Sequence, residues 1–192
     1  MTLDEAAAAA RACAICAAHL PLGPRPILQV GAGARLLITS QAPGTKAHIS
    51  GIPFEDPSGE RLRDWLGLDR SVFYDTSRVA ILPTGMCYPG RLPKGGDAPP
   101  RPECAPTWHP VIMPLLDSVR LRLLVGGYAI RLVLGPRTRL EDAVRNHAAY
   151  REEGLFPLPH PSWRTIGWAQ RNPWFEAEVL PALRAEVAQI LG

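Results

Sequence analysis

Three groups of residues in this chain have types and spacing that could do chemistry. The first is the stretch SQAPGTKAHISGIPFEDPSG, residues 40–59, with three glycines, three prolines, one aromatic residue and the acid pair Glu55-Asp56. It follows the apolar run Leu36-Leu37-Ile38-Thr39, and a loop so rich in backbone punctuation at a strand's end is shaped around something. The second is His160, fixed between Pro159 and Pro161 in LPHPSWRTIGWAQRNPWF. Flanking prolines restrict the backbone and give the imidazole a set direction. The third is the cysteines: Cys13 and Cys16 form a CxxC, and Cys87 and Cys104 follow with sixteen residues between them. In a cytosolic chain such cysteines point to metal binding, catalysis or burial rather than to disulfides.

These groups need elements to position them. An Ala-rich helix is predicted over 3–19, broken by the proline-bearing stretch 21–26. A strand is predicted over 35–39, then a long loop over 40–57. Ser58 is the expected cap of a helix through Trp65 and Leu66, stopped by Gly67. Further strands are expected at 78–82, 121–125 and 156–158, with a second long loop over 83–102 and a helix over 104–118. Gly126-Gly127 opens a short helix, and Asn172-Pro173 reads as the N-cap and first position of a last helix reaching Leu191. Apolar strands alternating with helices indicate an α/β fold with a mainly parallel sheet. Ligands of such sheets sit beyond the carboxyl ends of the strands. The loops 40–57, 83–102 and 159–172 are therefore expected to converge on one face.

The totals narrow the function classes. A chain of 192 residues is expected to form one domain with a real core. No run approaches the roughly 18 apolar residues of a membrane span. The start, Met1-Thr2-Leu3-Asp4-Glu5, is acidic and the alanine run after it has no basic leader, so no signal peptide is expected. The expectation is a cytoplasmic, nucleoid-associated monomer with no membrane partner. Net charge is +3, and only Lys46 and Lys94 among the 21 basic residues are lysine. Arginine suits phosphate contacts, and a high-GC genome gives the same bias. Charge permits nucleic acid without requiring it.

QAPG after the first strand, GIPF seven residues later, DPSG close behind and HPS before the terminal helix together resemble the uracil-DNA glycosylase superfamily, over nearly the whole chain. The resemblance implies a three-layer α/β/α sandwich around a central four-stranded, mainly parallel sheet. It implies a DNA glycosylase of base excision repair, hydrolysing the N-glycosidic bond of uracil or a related deaminated base flipped out of DNA. The cysteine order resembles the iron-sulfur branch, family 4. That places a [4Fe-4S] cluster on Cys13, Cys16, Cys87 and Cys104; zinc would also accept four thiolates.

The resemblance also distributes roles. Phe54 becomes the platform for the flipped base, with Ala42, Gly44 and Thr84 beside it. His160 becomes the donor to the departing base oxygen. Asp56 of DPSG matches an acid of the family 5 branch, one residue closer to the aromatic, and becomes the water-positioning acid; its other reading is a helix N-terminal acid. Glu55 is the nearest rival. Gln41 would bond water or base. The first motif here carries no acid, and Pro83 stands where many relatives carry an asparagine that reads uracil. A wider range of lesions, or reading by backbone groups, therefore stays open. Ser162 would touch a phosphate, Trp163 and Arg164 would wedge into the duplex, and Arg171 and Asn172 would contact the backbone at a helix start. Arg91 and Lys94 would add to these contacts. A second reading is a DNA-damage or abasic-site binding protein that cuts slowly or not at all. A third is an α/β enzyme acting on free nucleosides or nucleotides.

Overall fold

The structure, a computed structural model, describes all 192 residues. Its strands are β1 (Leu36–Thr39), β2 (Val79–Ile81), β3 (Leu121–Val125) and β4 (Leu155–Leu158). They form one sheet in the order β2-β1-β3-β4, and every neighbouring pair is parallel. The strands are almost wholly apolar because both faces are covered, as parallel sheets require. On one face Leu36, Ile38, Val79, Ile81 and Leu123 pack against Leu62 and Trp65 of α3 (Pro57–Leu66) and Leu183 and Val187 of α10 (Leu180–Leu191). On the other, Leu37, Ala80 and Leu82 pack against Leu3, Ala6 and Ala10 of α1 (Leu3–Arg11) and Ile112 of α5 (Cys104–Ile112). The chain is thus the expected α/β/α sandwich. The strand order reverses at β1, which puts a crevice at the carboxyl ends of β1 and β3.

The edge of β2 is closed by the chain before β1. Gln29 exchanges backbone hydrogen bonds with Ile81, and its buried side-chain amide donates to the carbonyls of Phe73 (3.0 Å) and Val79 (2.8 Å). This leaves no open template for strand addition there.

Several predicted elements differ. The first helix, capped by the reciprocal Thr2–Glu5 pair, stops at Arg11 instead of running to 19. The CxxC segment leaves the helix, and only a short 3-10 turn, Ala17–His19, follows. The helix expected over 104–118 is divided, because Pro110 and Pro114 each remove a backbone donor: α5 ends at Ile112 and a 3-10 turn covers Met113–Leu115. The first long loop contains α2 (Thr45–Ser50), and the third contains α9 (Arg164–Arg171). Asn172 is not an N-cap. It ends α9, its amide donating to the Trp168 carbonyl (2.9 Å) and its side-chain oxygen accepting from the Trp174 indole (3.1 Å). A π-helical turn, Phe175–Val179, then leads into α10. The remaining helices are α4 (Arg70–Phe73), α6 (Gly127–Leu134), α7 (Leu140–Arg145) and α8 (His147–Arg151). No helix is long and apolar enough to cross a membrane.

Candidate active site

The three expected loops do converge. A pocket at the carboxyl ends of the strands is lined by Ser40, Gln41, Ala42, Pro43 and Gly44 after β1, Phe54, Asp56 and Ser58 at the start of α3, Pro83 and Asp97 after β2, and His160 after β4. Its empty volume is about 530 Å³, including the open mouth. The loop ends are tied together at the floor, where the Thr84 N–H donates to the Ser40 carbonyl (2.8 Å).

Phe54 carries the most unusual backbone in the molecule. Its φ is 57°, the single positive value outside glycine. An aromatic residue in the left-handed region is held there by its surroundings, at a cost of roughly 1–3 kcal/mol. Those surroundings can be named. The ring is buried edge-on to Phe73, with centroids 6.1 Å apart. The Tyr74 hydroxyl donates to the Pro53 carbonyl at 2.9 Å. A Cβ on Gly59 would lie 1.8 Å from the Phe54 carbonyl oxygen, so only glycine lets α3 begin so close beneath it. That is the physical reason for the last letter of DPSG.

Asp56, not Ser58, is the N-cap of α3, with Pro57 at the first helical position. Its Oδ1 accepts from the Gly59 N–H at 2.8 Å. The bond fixes the carboxylate at the pocket wall and leaves its second oxygen without a hydrogen-bond partner in the protein. Asp56 is thus a helix N-terminal acid, as its second reading has it, and it also lines the pocket. Glu55 is removed from contention. It pairs with Arg70 at 2.6 Å and meets the Tyr74 hydroxyl at 3.4 Å, and the Arg70 hydrogen bond holds its carboxyl below the usual range.

His160 is held by its backbone. Its carbonyl accepts from the Ser162 N–H (2.8 Å) and from the Thr165 hydroxyl. Gly126 has φ 90°, and a Cβ there would lie 3.2 Å from the His160 Cβ, so β3 ends in a residue that makes room for the histidine. Burial pushes the imidazole down to about 4. It is therefore neutral at pH 7, an imidazole that can donate a hydrogen bond without bringing a positive charge.

Behind the Pro83 wall lies a brace that no local pattern announces. Arg122 on β3 donates to the Thr39 hydroxyl (2.9 Å) and to His109 Nδ1 (3.4 Å). An acceptor Nδ1 puts the proton on Nε2, which donates to the Pro83 carbonyl at 3.0 Å. Burial pushes Arg122 down to about 10 and lowers His109 as well. The Pro83 carbonyl is thereby occupied, and Pro83 presents a ring rather than an amide to the pocket. Sequence spacing has no way to pair residues 109 and 122 with residue 83.

The other expected contacts divide. Gln41, Ala42, Gly44, Phe54, Asp56 and His160 share the pocket. Thr84 does not: it lines a separate groove with Pro100, Tyr128 and Arg131, and its buried hydroxyl has no partner. Trp163, 72% exposed at the start of α9, projects beside the site with the Arg164 guanidinium 5.4 Å from its ring centroid. Ser162 is bonded to the His160 turn. Arg171 and Asn172 stand at the far end of α9, about 10 Å along its axis from Arg164, and Asn172 is spent on internal bonds. Asp97 is a pocket residue that nothing in the sequence singles out. Its one signal is the Gly95-Gly96-Asp97 turn in a loop of prolines and glycines.

The four cysteines come from three segments to one cavity, shared with Ile15, Leu20, Arg101, Glu103 and Trp108. Cys16 meets Glu103 Oε2 at 3.7 Å, and the Met86 N–H lies 3.3 Å from Cys104 Sγ. Burial pushes Cys104 up to about 11, and it also raises Cys16 and Cys87; the nearby thiolates add to the rise at Cys87 and Cys104. Four thiols on one cavity fit a thiolate-bound group by donor chemistry. As placed, no three of them stand in a metal-holding arrangement.

A parallel α/β/α protein with a polar pocket at its strand-order reversal defines a class in which catalysis and binding lie at that crevice. The sequence model of the uracil DNA glycosylase superfamily matches residues 28–184, and the chain belongs to that superfamily. Membership supports a DNA glycosylase-like function with DNA as the substrate. The matched span holds every lining residue of the pocket except Ile27, together with Cys87 and Cys104; Cys13 and Cys16 precede it.

Proposed function

We propose that this protein is a monofunctional DNA glycosylase that hydrolyses the glycosidic bond of uracil, or of a related deaminated base, in DNA. One observation carries the reading: a platform aromatic, a fixed carboxylate and a neutral imidazole, Phe54, Asp56 and His160, share one pocket with Gln41. The base stacks on Phe54. The bond from C1′ to the base nitrogen breaks with its electron pair on the base, and the His160 N–H stabilises the resulting oxyanion. The free oxygen of Asp56 orients water toward C1′ and takes its proton. No lysine nucleophile is needed, and neither lysine lines the pocket. Outside the pocket, Trp163 and Arg164 fill the gap left in the duplex.

The pyrrolidine of Pro83 makes an apolar wall where a base edge would otherwise be read by hydrogen bonds. This supports a site that accepts more than uracil. The cysteines Cys13, Cys16, Cys87 and Cys104 would hold a [4Fe-4S] cluster, with zinc as the alternative occupant. Such a group would pin the segment after α1 to the second loop and α5, and the pocket residues alone do the chemistry. A second reading, a damage-binding protein that cuts slowly, draws support from the Asp56 oxygen already committed to capping α3.

The test is base release from duplexes carrying uracil, hypoxanthine, xanthine or thymine opposite guanine, with binding measured across salt. Release from at least one duplex is expected. Tight, salt-sensitive binding with no release from any of them would move the protein to the damage-binding class. Weak binding with little salt dependence would instead point to free nucleosides or nucleotides.

A further inference from the structure

The loop after β2 delivers an acid to the pocket. Residues 90–98 fold back on themselves: Arg91 and Asp97 form an antiparallel bridge, the Leu92 N–H donates to the Gly96 carbonyl (2.9 Å), and the Ala98 N–H donates to the Gly90 carbonyl (2.8 Å). The Gly95 N–H closes the tip on the Leu92 carbonyl at 2.9 Å. Asp97, paired across this hairpin with Arg91, lines the same pocket as Gly44, Phe54, Asp56 and His160. Its Oδ2 reaches to 3.5 Å from where a Cβ on Gly44 would sit, so the carboxylate lies directly over the QAPG turn.

No protein donor holds this carboxylate. Asp56 is bonded to Gly59, and Glu55 to Arg70, but Asp97 makes no side-chain hydrogen bond and no ion pair. Three charged groups face it. Arg91 is on its own hairpin, and Arg164 is on α9, whose guanidinium would lie 3.1 Å from a Cβ on Gly96. Asp56 faces it from the start of α3. Burial of the carboxyl end raises Asp97 above the ordinary carboxylate range, the two arginines pull it down, and the charge of Asp56 pushes it up again. Arg91 and Arg164 face Asp97 without bonding to it, so its carboxylate stays free beside Asp56 and a neutral histidine.

The depth of each group says where that free carboxylate acts. Phe54 is buried, whereas Asp97 is exposed to solvent. A nucleotide entering base first brings its base to Phe54 and leaves its sugar beside Asp97. The sugar is where positive charge develops as the glycosidic bond breaks.

We infer that Asp97 is a second catalytic carboxylate of this site, facing the sugar of the flipped nucleotide and stabilising the positive charge that grows at C1′. The inference rests on the glycosylase reading and deepens it. The division of labour is then complete. As the C1′–N bond breaks, its electron pair leaves with the base, which His160 hydrogen-bonds. The cation at C1′ lies against Asp97. Water adds through its oxygen to C1′, and its proton passes to Asp56 and on to solvent. The base anion takes a proton from solvent, so the reaction consumes one water and leaves an intact backbone with a 1′-hydroxyl.

The test compares wild type with Asp97→Asn, which keeps shape and removes charge. The first readout is the single-turnover rate on whichever duplex wild type cleaves; a loss of roughly 100-fold is expected. The second is binding to duplexes carrying two uncleavable abasic analogues, a cationic pyrrolidine and a neutral tetrahydrofuran. Wild type is expected to prefer the cation by about tenfold, and Asp97→Asn to bind both alike. Affinity for ordinary duplex should be unchanged or tighter in the variant, since a carboxylate beside phosphates is removed; a misfolded variant would lose it. A rate within about threefold of wild type, or a cation preference that survives the substitution, overturns the assignment. The second readout needs no base release. If wild type cleaves nothing but its cation preference depends on Asp97, the placement of the carboxylate stands and the glycosylase reading falls.

Discussion

The pocket at the strand ends and the cysteine cavity both draw on the loop after β2, yet they differ in how finished they are. In the pocket, three groups already have fixed places, Asp56 by a helix cap, His160 by its turn and Pro83 by the His109–Arg122 brace, and only the Asp97 carboxylate at its edge is left without a partner among the acids. In the cavity, the four thiols are near one another but not in ligating array, and burial holds Cys104 protonated near neutral pH. A pocket for a transient substrate is preorganised by the fold, because binding energy spent on ordering it would be lost to catalysis. A metal or cluster bound at the cysteines, as proposed above, would complete that site and displace the thiol protons as it binds.

The sharpest way to break this contrast is in the pocket. His160→Ala should lower the single-turnover rate by roughly 100-fold or more while leaving duplex affinity within about threefold, as measured by quenched-flow release and by titration. An equal loss of both would make the histidine a structural element like the cysteines.

The next effect concerns pH. The folded His160 titrates near 4 and the unfolded residue near its ordinary 6.5, so between those values the unfolded chain binds a proton that the folded chain refuses. Stability is complete above the upper value and falls as pH drops toward the lower one. The difference between wild type and His160→Asn, from urea unfolding at several pH values, should shrink by up to roughly 3 kcal/mol over that span. His48 and His109, lowered in the same direction, are common to both proteins and cancel.

Smaller again is the mouth. Trp163→Ala should weaken duplex binding by about tenfold, the value of one stacked base, with little change in the rate of bound substrate. Smallest in the pocket, though not for stability, is loss of a cysteine. Cys16→Ser in metal-loaded protein should lower the melting temperature and metal content, with the rate per folded molecule within about twofold of wild type. A much larger rate loss would erase the distinction between the two sites.

Much of this was legible in the chain. Strands at 35–39, 78–82, 121–125 and 156–158 lie within a residue of those observed, because buried parallel strands are short apolar runs between turn residues. The gathering of three loops followed from the topology. The first turn of α3 was shifted by two residues because Pro57 is the better marker: proline belongs at the first helical position, so the cap is Asp56. Helices α2 and α9 were hidden because each lies between prolines and glycines that read as loop. Thr84 sits next to the pocket wall in sequence but faces the opposite groove. Asp97 and the His109–Arg122 brace are contacts between distant segments, which local patterns do not encode.

The most direct test of the account is the single-turnover rate of Asp56→Asn against wild type on a uracil duplex. Asparagine still caps a helix, so α3 should stay intact, and the melting temperature serves as the check. The account predicts a loss of at least 100-fold with unchanged stability. A rate close to wild type in a stable Asp56→Asn protein would contradict it, and would leave Asp56 as a helix cap and nothing more.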